Sequence, residues 1–373
     1  MEQKVMGLAT AIIVAITIGL CFLLMYYPEL HTASVNMHEQ GFKQFGSGRS
    51  VLELLKSEEI QIEDMAVSVE TPHEEIDLLK GHQIRLTLPK NVTGNAVSVE
   101  SDYVDKIARI TIKGITKSYF NDYPMIGSSD NIVDITYSNE NKVGYIDISM
   151  DKVKEIELST EEEYLYLDFL SPDELYEHIV VIDAGHGGGV PGATKQGIEE
   201  KDIDLEIALA LKEIFDTNRK NGLRVYYTRT EDVNPDFASR VGLANDTKAD
   251  VFVSIHNNST KTGRMSSTHG TRVLYKSGDS SGKSEEFSQR LLDKITENVG
   301  SKDMGTVEGD DIFIVRESEV PVALIEVGFM TNRQELELLC DEDYQKQCAK
   351  AIYDGIMEQI YGPKNEVDEG EQK

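Results

Sequence analysis

The sequence is poor in cysteine, with three in 373 residues. Three cysteines cannot form a disulfide framework, and their positions do not match a thiolate metal site, so both architectures are excluded. A single bridge between Cys340 and Cys348 fits the spacing. We expect buried free thiols instead, because unpaired cysteine is among the residue types most often buried.

Basic residues are also scarce, 37 against 66 acidic ones, and the formal net charge is −29. A surface of this charge repels the phosphates of DNA and RNA, so the composition argues against nucleic acid as a partner. The charge is otherwise typical of a solvated surface. The length exceeds that of one average domain and predicts two folded units.

Residues 5–27 lack any charged side chain and are rich in Ile, Leu, Val and Ala. About 20 apolar residues suffice to cross a bilayer. Lys4 precedes the run, which favours a cytoplasmic tip at 1–4 and an extracytoplasmic location for the rest. The run ends in Leu-Leu-Met-Tyr-Tyr-Pro, which does not suit cleavage. We therefore predict an uncleaved, single-pass transmembrane signal-anchor in the cell membrane, followed by a stalk over 28–58.

Between 59 and 172, apolar and polar residues alternate with a period of two, which is typical of half-buried strands. Clusters of turn residues, such as the segment 127–131, separate the runs. This pattern predicts a mainly β, sandwich-like domain. The alternation is clearest over 84–88, 107–113, 133–137, 145–150 and 164–169.

From 176 to 362, strand-like runs alternate with helical ones, which predicts an α/β domain with a mixed, mostly parallel sheet flanked by helices. Apolar residues recur there at helical spacing, for example at Tyr344, Cys348 and Ile352. The charged end of the chain, 363–373, predicts a disordered tail. Strands are predicted at 179–183, 224–229, 250–255, 271–275, 311–315 and 322–326.

Three of these strands end at a polar side chain that can bind a metal. The first leads into His186 on a glycine-rich turn over 185–188, where the missing side chains let a ligand approach the backbone. The other two end at His256 and Glu326. Because functional groups gather where the strands of an α/β sheet end, we expect these side chains to form one site. Each residue alone is more typical of packing or hydrogen bonding, so the prediction rests on their conjunction.

A catalytic zinc usually takes three His or carboxylate ligands and keeps one position open for water. His186 and His256 supply two ligands, and Glu200 is the best third, because it opens the helix that returns to the end of the first strand. Glu199 is the neighbouring alternative. Glu326 lies among apolar neighbours, which raises the pKa of a carboxyl and suits a base that takes a proton from water. A capping or salt-bridging role for Glu326 is the alternative.

Six blocks of the C-terminal half match one family over nearly all of 178–362. The blocks are 181–188, 191–193, 200–202, 228–229, 254–259 and 321–332. They resemble the zinc-dependent N-acetylmuramoyl-L-alanine amidases of the Amidase_3 type. The resemblance implies zinc (Zn²⁺) held by His186, Glu200 and His256, with Glu326 as the catalytic glutamate.

The resemblance also implies hydrolysis of the amide between the muramic acid lactyl group and L-alanine of peptidoglycan, with a zinc-activated water. The Glu-Lys pair of the family falls on 200–201, which favours Glu200 over Glu199. Gly189-Val190 departs from the family, which usually has a polar pair there. By strand alternation and domain order, the β-rich domain is similar to AMIN-type wall-targeting domains. The expected partners are peptidoglycan and the membrane, and an activator protein is a further candidate.

Two other functions stay open at this point. A zinc peptidase or amidohydrolase on a similar scaffold would cut another stem-peptide bond. A non-catalytic wall-binding scaffold would keep the fold alone, although retention of the four site residues argues against it. Three arginines are candidates to bind substrate carboxylates, and the alternative for each is a structural ion pair. They are Arg229, Arg240 and Arg316. Asp183 is a turn-former or orients a histidine.

Overall fold

The structure is a computed structural model, and it describes residues 78–363 apart from 91, 93 and 117. The predicted signal-anchor, the stalk, the start of the β-rich region up to residue 77 and the tail beyond 363 lie outside the described residues. Within the described part of the chain, every helix is too short or too polar to cross a membrane. The structure therefore bears on the two regions that follow.

From residue 78 onward, the described residues of the β-rich region form eight strands and two short helical turns, the 3₁₀ turn Gly94–Ala96 and the helix α1 (Tyr119–Asp122). The strands are β1 (Ile84–Thr87), β2 (Val97–Asp102), β3 (Ile107–Lys113), β4 (Ile126–Gly127), β5 (Ile132–Glu140), β6 (Val143–Met150), β7 (Glu155–Glu161) and β8 (Tyr164–Leu170). They form two antiparallel sheets in the orders β4-β1-β8-β7 and β2-β3-β6-β5.

The two sheets share one apolar core. Ile84, Ile110, Ile146 and Leu167, from both sheets, are each at most 2% exposed. Buried and less buried residues alternate along β6, as expected when only one face of a sheet is covered. All five alternating runs of the sequence lie in or along strands, and the arrangement is a sandwich of two sheets.

The C-terminal region contains eight strands and seven helices. In chain order these are α2 (Pro172–Leu175), β9 (His178–Ala184), β10 (Thr194–Lys195), β11 (Ile198–Glu199), α3 (Glu200–Thr217), β12 (Leu223–Tyr227), α4 (Phe237–Thr247), β13 (Val251–Asn258), β14 (Thr271–Tyr275), α5 (Lys283–Val299), β15 (Asp303–Glu308), α6 (Phe313–Arg316), β16 (Val322–Phe329), α7 (Arg333–Leu339) and α8 (Glu342–Tyr361).

Six of these strands form one sheet in the order β12-β9-β13-β16-β14-β15. The first four are parallel, β14 is antiparallel to β16, and β15 is parallel to β14. β10 and β11 form a separate antiparallel hairpin. The predicted mixed, mostly parallel sheet flanked by helices is therefore confirmed.

Each face of the six-stranded sheet has its own apolar layer. Alternate residues of β9 point to opposite faces, as the pleat requires, so Val180 and Ile182 pack with α3, α5 and α8. Ile179 and Val181 pack on the other face with α4 and α6. Full burial of such a side chain contributes about 1.5–3 kcal/mol, so these layers provide much of the stability of the fold.

The predicted strand at 311–315 is wrong. Residues Phe313–Arg316 form the helical turn α6, and the amide of Arg316 donates to the carbonyl oxygen of Ile312. Ile314 and Val315 are buried against the sheet from this turn. The strand of this part of the chain is β15, which has no fully buried residue and therefore lacks the apolar signal.

Cys340 and Cys348 are both free thiols. Cys348 is buried in the layer under α8, whereas Cys340 is exposed at the end of α7. The expectation of a buried free thiol is therefore confirmed for Cys348. For Cys340 it is wrong, because this thiol is free but exposed.

A partly buried polar cluster around Glu155 joins the β-rich region to the six-stranded sheet. The Glu155 carboxylate accepts hydrogen bonds from the hydroxyls of Tyr103 and Tyr226, each at 2.7 Å. It also forms an ion pair with Arg224 at 3.0 Å. Beside this cluster, Val153 is buried in the apolar layer of α4 and α6. The β-rich region therefore supplies part of the cover of that face of the sheet.

Candidate active site and metal centre

Three strand ends meet at one edge of the parallel part of the sheet. β9 ends at Ala184, two residues before His186, while His256 and Glu326 lie near the ends of β13 and β16. Ala184 is opposite Ile255 in the sheet, and His256 is opposite Glu326. The structure therefore brings the three predicted strand-end side chains to one place.

His186 stands on a turn with left-handed backbone, at a φ of +56°. Glycines make room around it. A Cβ atom at Gly185 would lie 2.3 Å from the His256 ring, and one at Gly192 would lie 2.5 Å from the Glu200 carboxylate. Only glycine at these two positions lets the histidines and the glutamate approach each other.

Two buried arginines fix the turn that carries His186. Arg229 donates to the carbonyl oxygen of Gly185 at 2.6 Å, and Arg240 donates to that of Ala184 at 2.7 Å. Arg240 also pairs with the Asp183 carboxylate at 2.6 Å. The two arginines are only 4% and 2% exposed. They are structural and do not reach a substrate in the cleft.

Asp183 anchors the end of β9. It accepts hydrogen bonds from the hydroxyls of Thr228 at 2.6 Å and Ser254 at 2.7 Å. Burial opposes its ionisation, but Arg240 and these two hydroxyls lower the pKa of Asp183 below its usual value. The third candidate for substrate carboxylates, Arg316, is paired with the neighbouring Glu317 at 2.9 Å.

Glu200 is the first residue of α3, and its carboxylate lies between the two histidines. Its Oε1 atom is 3.1 Å from Nε2 of His186 and 3.1 Å from Nδ1 of His256. The main-chain amides of Ala193 and Asn257 donate to the same carboxylate at 2.7 and 3.1 Å. Burial opposes ionisation, yet the hydrogen bonds to both histidines hold the pKa of Glu200 well below its usual range. The neighbouring alternative, Glu199, instead pairs with Lys201.

Glu326 faces the same group across β13 and β16. Its Oε2 atom is buried and has no hydrogen-bond partner within the described part of the chain. Burial raises the pKa of Glu326 to about 7, with the Glu200 charge adding to the rise and His256 opposing it. Burial lowers the pKa of His256, but Glu200, Asp204 and Glu326 together raise it to about 9.

The four predicted residues line a cleft of about 360 Å³. One side of the cleft is polar and the other is apolar, with Phe237 and Phe313 stacked at 6.2 Å between ring centroids. A larger cavity of about 760 Å³ lies between the ends of α3, α5 and α8 and contains none of the predicted residues. The cleft is lined by His186, Glu200, Phe237, His256, Asn257, Asn258, Ser259, Ile312, Phe313, Ile314, Leu324 and Glu326.

Two further residues, Asp204 and Asn257, belong to this site and were not predicted from the sequence. Asp204 lies one turn after Glu200 on α3 and is fully buried. Its Oδ1 atom accepts a hydrogen bond from the side chain of Asn257 at 2.8 Å, and its Oδ2 atom has no partner. Burial raises the pKa of Asp204 well above its usual value. The four-residue spacing on a helix is the only sequence signal for Asp204.

The donor set fits zinc. His186, Glu200, Asp204 and His256 each offer one ligand atom, and these atoms all lie within 4.8 Å of one another. Two ligands at about 2.0 Å from a tetrahedral zinc lie about 3.3 Å apart, close to the 3.1 Å between Glu200 and each histidine. The space left by Gly185 and Gly192 is consistent with a built metal site.

Comparisons with known proteins point to one family. The model of the Amidase_3 family, N-acetylmuramoyl-L-alanine amidase, matches residues 180–358. The uncharacterized protein YqiI of Bacillus subtilis (strain 168) is 33% identical over 177 residues, which are 48% of this chain and 82% of that protein. The chain belongs to the Amidase_3 family. The predicted function, a peptidoglycan N-acetylmuramoyl-L-alanine amidase and thus a hydrolase, is confirmed at the level of this family.

Other Amidase_3 relatives match the same part of the chain. The N-acetylmuramoyl-L-alanine amidase LytC of B. subtilis (strain 168) is 30% identical over 178 residues, 48% of this chain and 34% of LytC. The crystal structure of an N-acetylmuramoyl-L-alanine amidase from Clostridium difficile 630 is 34% identical, with a TM-score of 0.45, and covers 48% of this chain and 95% of that one. These matches concern the amidase region, about half of the chain.

Proposed function

We propose that the amidase region cleaves the amide between N-acetylmuramic acid and L-alanine of peptidoglycan with zinc held by His186, Glu200 and His256 and with Glu326 as the base. One observation carries this proposal. The three ligand atoms already converge, and an unpartnered carboxyl oxygen of Glu326 lies across the sheet from His256 in the same cleft. The remaining features of the site hold these groups in place.

Hydrolysis of the amide needs an activated water and a proton for the leaving nitrogen. When bound, zinc supplies a Lewis acid that polarises the scissile carbonyl and favours deprotonation of water. Glu326 takes one proton from the attacking water and returns it to the leaving nitrogen as the C–N bond breaks. The oxygen of the water stays on the lactyl carbonyl carbon and its second proton passes to the released amine, so the products are a lactyl carboxylate and a stem peptide with a free L-alanine amine in its ammonium form. Burial raises the pKa of Glu326, which favours a carboxyl that can return the proton it has taken.

Product analysis tests this function. We expect the full-length protein to release stem peptides with a free L-alanine amine from purified peptidoglycan, to stop after chelation and to resume with Zn²⁺. Mass spectrometry of the released peptides identifies the new terminus. A different terminus would support the zinc peptidase alternative. No release from folded, zinc-loaded protein would support the non-catalytic scaffold.

Gly192→Ala is expected to weaken Zn²⁺ binding by about 100-fold or more, beyond the typical cost of losing an outer partner of a ligand. The reason is steric, because the added Cβ would lie 2.5 Å from the Glu200 carboxylate and 2.6 Å from the His186 ring. The backbone at Gly192 is also left-handed, at a φ of +68°. Competition with a chromophoric chelator measures the affinity.

Gly189→Ala is the matched control for that substitution. It lies in the same loop, three residues earlier, and an added Cβ there would meet nothing within 4 Å. The control is expected to bind Zn²⁺ like the unmodified protein. Equal affinities for the Gly192 and Gly189 variants would contradict the assignment of Glu200 and His186 as ligands.

We also propose that residues 5–27 anchor the protein in the cell membrane and that the amidase region lies on the extracytoplasmic side. The uncharged run supports this location. Protease added to intact, wall-stripped cells is expected to degrade the amidase region, and protection of that region would oppose the proposal.

Wall binding by the β-rich region is a separate proposal. It would be opposed if full-length protein lacking Zn²⁺ did not sediment with insoluble peptidoglycan.

A further inference from the structure

Asp204 is a buried carboxyl for which the amidase mechanism above has no use. It is 0% exposed, and its Oδ2 atom lies without a hydrogen-bond partner among the described residues. Burying a polar oxygen without a partner is costly, and an apolar side chain of similar size would avoid that cost. The position of Asp204 beside the metal ligands offers a reason for its presence.

The hydrogen bonds around Asp204 lead to Glu200 through one residue. Asp204 accepts a hydrogen bond from the Asn257 side chain at 2.8 Å. The main-chain amide of Asn257 donates to Oε1 of Glu200 at 3.1 Å, the oxygen that also lies 3.1 Å from both histidine nitrogens. Asn257 directly follows His256 and is 2% exposed. Fixing its side chain therefore fixes the peptide that holds two of the proposed ligands.

We propose that Asp204 is a positioning residue of the metal centre, which holds Asn257, and through its main chain Glu200 and His256, in the arrangement that binds zinc. The inference rests on the proposed function, since it assumes that these residues bind zinc. Asp204 acts through Asn257 and is not itself a ligand. It does not line the cleft, whereas His186, Glu200 and His256 do, and three protein ligands leave a catalytic zinc its open position.

Zinc affinity of the full-length protein separates these roles. Asp204→Ala removes the acceptor for Asn257 and is expected to weaken Zn²⁺ binding by about 10- to 100-fold, the usual cost of losing a partner behind a ligand. Asp204→Asn keeps an oxygen acceptor and is expected to restore most of that affinity. Competition with a chromophoric chelator gives the affinity, and the Tm of the metal-free protein reports folding.

Asn257→Ala provides a second route to the same test, and it applies if Asp204→Ala does not fold. Because the two residues act as one unit, the double variant is expected to bind Zn²⁺ no more weakly than the weaker single variant. Asp202→Ala is the matched control. Asp202 lies on the same turn of α3 but is exposed and pairs with Lys201, so its loss should leave Zn²⁺ affinity unchanged.

The other possible results of the Zn²⁺ affinity measurements would contradict either the role of Asp204 or the proposed function. Unchanged Zn²⁺ affinity in Asp204→Ala and Asn257→Ala, with or without a lower Tm, would reduce Asp204 to a structural residue and overturn the inference. An Asp204→Asn variant as weak as Asp204→Ala would make Asp204 a direct ligand, which also overturns it. If the unmodified protein does not bind Zn²⁺, the proposed function fails instead.

Discussion

Glu326→Gln is expected to lower kcat on peptidoglycan by about 10²- to 10⁴-fold, the range that a positioned general base contributes. The amide has nearly the shape of the carboxyl but cannot take the proton of water or return it to the leaving nitrogen. Glu326 is not among the proposed ligands, so Zn²⁺ affinity should be unchanged. The rate of release of L-alanine-terminated stem peptides measures the effect.

Two comparisons make this result specific to the base. Glu337→Gln alters an exposed carboxylate that pairs with Arg333 on the surface of α7, and it should leave kcat unchanged. The loss in Glu326→Gln relative to the unmodified protein should also shrink as pH falls, because protonation of the Glu326 carboxyl removes the same base from the unmodified protein. Retention of more than about a tenth of the activity would assign the proton transfer to another residue.

In the metal-free protein, the same substitution is expected to raise stability at high pH. The pKa of Glu326 is about 7 in the folded chain and 4.5 in the unfolded chain. Between these values the folded protein binds a proton that the unfolded chain releases, so the contribution of Glu326 to stability falls as pH rises. Above pH 7 the full penalty applies, up to about 3 kcal/mol. Below pH 4.5 the carboxyl is protonated in both states and contributes nothing.

Urea unfolding of both chelator-treated proteins, from pH 5 to pH 8, measures this difference. Glu326→Gln is expected to be more stable than the unmodified protein at pH 8 and to approach it at pH 5. His256 is present in both proteins, but the Glu326 charge is one of the causes that raise the pKa of His256. The difference between the two curves therefore includes the interaction of Glu326 with His256. Two curves that stay parallel across this range would mean that Glu326 is not buried as a charge in the metal-free fold.

That the four proposed site residues lie together could be predicted from the sequence, because each lies at or near the end of a strand or helix. His186, His256 and Glu326 follow apolar runs, and the ends of parallel strands share an edge of a sheet. Glu200 opens an amphipathic helix that must return to its strand. The position of a residue relative to an element end therefore predicted the convergence, whereas the choice of Glu200 over Glu199 came from the family resemblance.

Asp204 and Asn257 could not be predicted in this way. An aspartate within a helix reads as a solvated residue, and the residue after a strand histidine points to the other face of the pleat. Only the packing of α3 against β13 turns both side chains toward each other. The prediction of a strand at 311–315 was wrong for a related reason, since a short apolar run is equally consistent with a strand and with a buried helical turn.

The cluster around Glu155 has a consequence for how this protein could be recombined. Because Tyr103 and Val153 help to cover Ile179, Val181 and Tyr226, the two regions are not interchangeable modules joined by a passive linker. A chimaera that grafts the amidase half onto a different N-terminal module would expose part of this apolar face unless the new partner covered it. The unit that can be exchanged as a whole is the pair of regions together.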